Sequence, residues 1–159
     1  MARQLHRLVA PQFTPLLPQW RDAGVYQLWI RVNRPVVLRV GGLGRLHFAP
    51  GTYVYTGRAA RGLRRRVLRH VRGAEHFHWH IDYLLASPAA RVIRVNLAAT
   101  DPAEECRVNR AAGCGALAPV QRFGASDCRS RCPAHLWLMM RGARAAAIDV
   151  ALSGEKECK

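Results

Sequence analysis

The sequence predicts an α/β (α+β) domain built around one hydrophobic core, and three observations carry that expectation. The chain has 159 residues, half of them apolar, which suffices for one well-cored domain and is short for two. Runs rich in β-branched and aromatic residues recur early, as GVYQLWIRV (24–32), VVLRVG (36–41) and TYVYTG (52–57). Beyond Gly57 the period changes, because Leu63, Val67 and Val71 recur at four-residue steps, as on one face of a helix.

Residues 1–22 read as an N-terminal extension, since Pro11, Pro15 and Pro18 oppose regular structure. The domain is expected over 23–152, without internal repeats. Its first strand, 24–32, turns at Asn33-Arg34-Pro35 into 36–41 as the second strand of a hairpin. Gly41, Gly42 and Gly44 suggest a flexible connection, Leu46–Phe48 a short strand, and Pro50-Gly51 a turn into the strand at 52–57. The helix from Leu63 to Val71 follows. EHFHWHIDYLLA (75–86) closes in a helix-like apolar end, and RVIRVNLA (91–98) reads as a strand. Asp101-Pro102-Ala103-Glu104 is a helix start, with Asp as N-cap, Pro at the first helical position and Glu104 reaching back as in a capping box. That helix is expected to run to Ala112 and stop at Gly113. A loop at Phe123-Gly124 precedes strands at 136–141 and 145–152, and a loose tail occupies 153–159.

Lys+Arg total 25 against Asp+Glu 10, a formal charge of +15. An excess of that size concentrates polyanions and neutralises phosphates, so nucleic acid is the expected partner class, DNA ahead of RNA. No apolar run approaches the length of a membrane-spanning helix, and no signal peptide is evident at the N-terminus. The expected compartment is the cytoplasm, with the five cysteines reduced and available as thiols or metal ligands.

The densest basic stretch is GTYVYTGRAARGLRRRVLRH (51–70). On its helical wheel Arg58, Arg61, Arg65, Arg69 and Arg72 lie opposite the apolar stripe and read as a solvated face that attracts nucleic acid. Arg66 and His70, one turn apart, flank the stripe instead. A half-buried charge beside a strand end is where a functional group would sit.

Taken together these motifs resemble the GIY-YIG nuclease superfamily. Gly24-Val25-Tyr26 stands for its first signature and Tyr55-Thr56-Gly57 for its second, while Leu63, Arg66 and His70 fit its helix spacing. PGTYVYTG, RHVR, HWHIDYLL, Glu105-Cys106 and SDC…C…HL bring the chain closer to an uncharacterised prokaryotic subfamily, found alone or fused to endonuclease III-type repair glycosylases. The resemblance covers about residues 23–141. It implies a mainly antiparallel sheet flanked by helices, with C-terminal strand additions, and an endonuclease that hydrolyses DNA phosphodiesters with one divalent ion, in a repair context. Arg66 is then the candidate for the scissile phosphate, because its fork suits two phosphate oxygens. Tyr26 and Tyr55 are candidates to orient or deprotonate water, and His70 to relay the proton or hold a tyrosine. The metal carboxylate is Glu104 or Glu105. Glu105 is preferred because Glu104 has the capping job, and a hard carboxylate suits magnesium or manganese. A catalytically silent nucleic-acid-binding module on the same scaffold is the alternative.

Cys128-x3-Cys132-x2-His135 forms a second constellation at acceptable spacing for structural zinc, with Cys106 and the His76/His78/His80 group as candidate partners; Cys114 and Cys158 are left out of it. Reduced cysteines packed as small hydrophobes are the competing reading. His80 and Asp82 are expected either to orient one another or to line the nucleic-acid cleft, and Trp79 either to stack on a base or to be buried.

Overall fold

The computed structural model describes residues 21–141. Strand β1 (Gly24–Val32) lies antiparallel between β4 (Gly51–Ala59) and β5 (Ala90–Ala99). β4 continues to β7 (Leu136–Met139), and β7 to β6 (Ala116–Pro119), so the sheet runs β5-β1-β4-β7-β6 with every pairing antiparallel. The fold is α+β with a mainly antiparallel sheet, as expected.

Helices cover both faces of this sheet, which is why GVYQLWIRV reads as an almost continuous apolar run rather than an alternating one. Tyr26, Leu28, Ile30 and Val32 point to one side, beneath Leu63, Val67 and Val71 of α1 (Leu63–Arg72) and Ile81 and Leu84 of α2 (His80–Leu85). On the other side Trp29 meets Ala112, and Val25 meets Val108, both from α3 (Glu105–Cys114). Each such side chain contributes about 1.5–3 kcal/mol on burial.

The anticipated β1–β2 hairpin does not form. Both edges of β1 are already taken by β4 and β5, so β2 (Val36–Arg39) pairs with β3 (Arg45–Phe48) in a separate two-stranded sheet. The glycines between them are not a flexible link. They form a tight 3-10 turn over Gly41–Leu43, with Gly41 and Gly44 at φ 45° and 76°. β6 was not anticipated; it is an edge strand ending at Pro119, a place where proline costs no ladder bond. α3 continues to Cys114, past the expected stop.

Asp22, the end of the expected extension, is anchored. Its carboxylate accepts the Gly62 N–H at 2.9 Å and its carbonyl accepts the Leu63 N–H at 2.9 Å, satisfying donors at the start of α1. Residues 1–20, the strand expected at 145–152, Cys158 and the tail at 153–159 lie outside the described residues. Among the described residues no helix is long and apolar enough to cross a membrane.

Candidate active site

The register between β1 and β4 sets Tyr26 opposite Gly57 and Leu28 opposite Tyr55. Tyr26 and Tyr55 thus share a face as diagonal neighbours, with ring centroids 6.4 Å apart. Gly57 makes that approach possible, since a Cβ there would stand 2.6 Å from the Tyr26 ring and 3.1 Å from that of Tyr55. Gly57→Ala is expected to cost about 1–3 kcal/mol through overpacking, read as a melting temperature lower by several degrees. An unchanged melting temperature would show that Tyr26 is not held in this position.

Both tyrosines line a cavity of about 690 Å³, together with Arg58, Arg66, Trp79 and Glu105, and with Cys106, Asp127, Cys128, Arg129 and His135 on the loop side. Tyr26, Tyr55, Arg66 and Glu105 are therefore brought together. His70 is buried behind them, its Nε2 3.0 Å from the Tyr26 hydroxyl. Burial above all, reinforced by Tyr55, Glu105 and Asp82 and opposed by Arg66, holds the Tyr26 phenol well above its ordinary range. Burial, then Glu105 and Asp82, raises Tyr55 likewise. Both are neutral phenols in this state, and neither is a base unless its proton has somewhere to go.

Arg66 is placed by two contacts. One Nη donates to the Arg58 carbonyl at 2.6 Å, and the guanidinium lies 4.7 Å from the Trp79 ring centroid. Arg69 departs from its expected place on the free outer face. It is partly buried, forks onto Asp82 at 2.9 and 3.0 Å, and stacks on Trp79 from 4.7 Å. Trp79 is thus in contact with two guanidiniums at the cavity wall. Arg61 and Arg65 are exposed, as the outer-face reading requires, whereas Arg58 is not on the helix at all: it stands near the end of β4, lines the cavity and, although exposed, pairs with Glu105. His80 does not line the cavity; its Nδ1 accepts the Gly124 N–H at 2.9 Å and pins the 120–125 loop. Nor do His80 and Asp82 orient one another, because Asp82 turns to Arg69 and His70. Asp127 and Arg129 line the cavity and were given no role, although Asp127 stands in the SDC motif.

Glu104 does not take the capping role expected of it. Asp101 does cap, accepting the Ala103 N–H at 2.9 Å, but Glu104 pairs with Arg107 rather than reaching back. The preference for Glu105 still agrees with the geometry, since Glu105 lines the cavity and Glu104 does not. One Glu105 oxygen lies 3.2 Å from Arg58 Nε and the other 3.5 Å from His135 Nδ1. Glu105 thus presents one carboxylate to the cavity, which Asp127 also lines, and carboxylate oxygens are the donors that hard divalent cations take. Arg58, whose side chain is 58% exposed, is free to swing aside.

Cys106, Cys128, Cys132 and His135 place one ligand atom each within 4.8 Å of all the others. They come from the first turn of α3 and the loop before β7. His135 is buried with neither ring nitrogen hydrogen-bonded, a cost that a bound metal would remove. Burial raises the Cys128 thiol, but contacts with the Cys132 backbone, His135 and Cys106 outweigh it and bring the value down to about 7. Burial pushes Cys132 up to about 11. Three sulfurs and an imidazole in this arrangement could hold a metal ion, and the donor set is the soft one that suits zinc.

The model of the family described as domain of unknown function DUF123 matches residues 25–154, most of the chain, and the protein belongs to that family. No curated protein and no solved structure matches it.

Proposed function

We propose that this DUF123 chain is a GIY-YIG-type endonuclease that hydrolyses phosphodiester bonds in DNA, in a cytoplasmic repair setting. The observation that carries the reading is the convergence of Tyr26, Tyr55, Arg66 and Glu105 on one cavity, with His70 bonded behind Tyr26. A phosphodiester needs its charge offset, its attacking water positioned and its leaving oxygen stabilised. Arg66, preset by Trp79 and the Arg58 carbonyl, receives the scissile phosphate on its remaining donors. Tyr26 and Tyr55 orient the water. Glu105 holds magnesium or manganese, which when bound neutralises developing charge and lowers the pKa of its water. Cys106, Cys128, Cys132 and His135 hold structural zinc. The exposed Arg58, Arg61 and Arg65 bind flanking phosphates without reading sequence.

The test is a cleavage screen of duplex, branched and damaged DNAs with magnesium and manganese, with Glu105→Gln as control. Cleavage lost in that variant supports the reading; equal cleavage by both proteins overturns it. The ion pair of Glu105 with Arg58 favours a second reading, a silent binding module in which that carboxylate is permanently neutralised. That protein would bind DNA with steep salt dependence and cut nothing under either metal.

A further inference from the structure

Asp82 is the most heavily bonded carboxylate among the described residues, and none of its bonds is explained by the site as described above. One oxygen accepts the His78 N–H at 2.8 Å, the Trp79 N–H at 3.0 Å and an Arg69 Nη at 3.0 Å. The other accepts the second Arg69 Nη at 2.9 Å and stands 3.3 Å from His70 Nδ1, off the line of a straight hydrogen bond. Four donors, two from the backbone and two from Arg69, keep the carboxylate ionised, and an ionised carboxylate only accepts. The tautomer that this neighbour favours is therefore the one with the proton on His70 Nδ1. The imidazole is buried, and burial, opposed by Asp82, lowers its pKa, so it rests neutral. Its Nε2 is then bare. The contact at 3.0 Å can only be the Tyr26 hydroxyl donating into the ring.

From this chain of contacts we infer that Asp82 is a positioning residue, which sets the His70 tautomer so that Tyr26 serves as a base toward the cavity. The proton balance closes. As water attacks phosphorus, its proton passes to the Tyr26 oxygen while the Tyr26 proton passes to His70 Nε2. The water's electron pair forms the new P–O bond, and the pair of the breaking P–O bond leaves with the departing oxygen, which is protonated by solvent. The imidazolium keeps its Nδ1 proton on Asp82 and later returns the other through Tyr26. Asp82 touches neither substrate nor Tyr26, and it acts only through His70. Arg69 holds Asp82 from the far side with a two-pronged fork. Orientation by a carboxylate is how a histidine base is ordinarily kept in one tautomer.

The catalytic part of this inference rests on the nuclease reading, whereas the tautomer does not, so the two can fail separately. The experiment is nitrogen-15 NMR of the full chain at neutral pH, with the His70 ring signals assigned by their loss in His70→Gln. The wild-type ring is expected as the neutral Nδ1–H form; an Nε2–H form or an imidazolium overturns the inference. Asp82→Asn can turn its amide donor toward His70 and is expected to switch the ring to Nε2–H, and an unchanged tautomer in a folded Asp82→Asn protein overturns it as well. If that variant does not fold, the wild-type spectrum alone decides. In the cleavage assay Asp82→Asn should lower kcat about a hundredfold, the scale of a general base, with KM within about threefold. Loss confined to KM counts against the relay. A protein that cleaves nothing but shows the expected tautomers overturns the nuclease reading and leaves the positioning role standing.

Discussion

Glu105→Gln should abolish magnesium-dependent cleavage, by about a thousandfold or more, while the fold survives. The asymmetry follows from what Glu105 touches. Its structural partners are Arg58, largely exposed, and His135, 3.5 Å away. An exposed ion pair is worth about 0–1 kcal/mol, which for a chain of this size moves the melting temperature by only a few degrees. The amide keeps the shape and one acceptor oxygen but loses the charge that would hold a divalent cation. A metal that stabilises transition-state charge supplies several kcal/mol, and about 4 kcal/mol corresponds to a thousandfold in rate. Arg66→Ala should cost a similar factor for a different reason, because it removes the phosphate fork and its stack on Trp79 together. Arg66→Lys separates the two, restoring charge without the fork, and should recover only a small part. Single-turnover cleavage on the best substrate of the screen measures all three. Near-wild-type rates in either Glu105→Gln or Arg66→Ala would remove the proposed mechanism.

How far the sequence could go is clearest at the arginines of α1. The four-residue spacing of Leu63, Val67 and Val71 placed the buried stripe correctly, and all three are buried. The same wheel assigned Arg69 to solvent, and this failed because its partner is tertiary. Asp82 arrives from the next helix, thirteen residues on, and no local period reports it. β1 and β4 were legible because both-face burial writes a nearly continuous apolar run, and β5, a half-exposed edge strand, because Val92, Ile93 and Val95 are β-branched. The pairing of β1 was not legible. Adjacent runs joined by a turn favour a hairpin, and only competition from β4 and β5 for the two edges of β1 displaces β2. The candidate tyrosines, Arg66, His70 and Glu105 were found through a resemblance of motifs. What motifs could not supply is the second layer behind them: the Gly57 clearance, the stack of Arg66 on Trp79, and Asp82 behind His70.

The cysteine cluster leads to the other large effect. The purified protein is expected to carry about one zinc per chain, and its removal should lower the melting temperature by about 6–20 °C, from about 3–5 kcal/mol at about 2–4 °C per kcal/mol. Without an ion, four ligand atoms within 4.8 Å of one another include a buried imidazole with no hydrogen bond and thiols held close together. A tetrahedral ion satisfies all of them at once and ties the first turn of α3 to the loop before β7. That loop otherwise has little regular structure to hold it, since 120–135 contains no strand or helix. Burial opposes a raised His135 pKa, but Glu105 and Cys128 outweigh it. Zinc at this histidine would reverse that balance and draw Glu105 toward the opposite ring nitrogen, the familiar arrangement in which a carboxylate supports a metal-bound imidazole. Cys132→Ser should reproduce the chelator's effect, because its buried sulfur has no solvent to replace the lost ligand. Elemental analysis, thermal unfolding with and without chelator, and the rate at which a thiol reagent labels Cys106 and Cys128 all bear on the same ion. Zinc well below half an equivalent, together with a melting temperature that the chelator leaves unchanged, would return these residues to ordinary reduced cysteines packed beside a histidine.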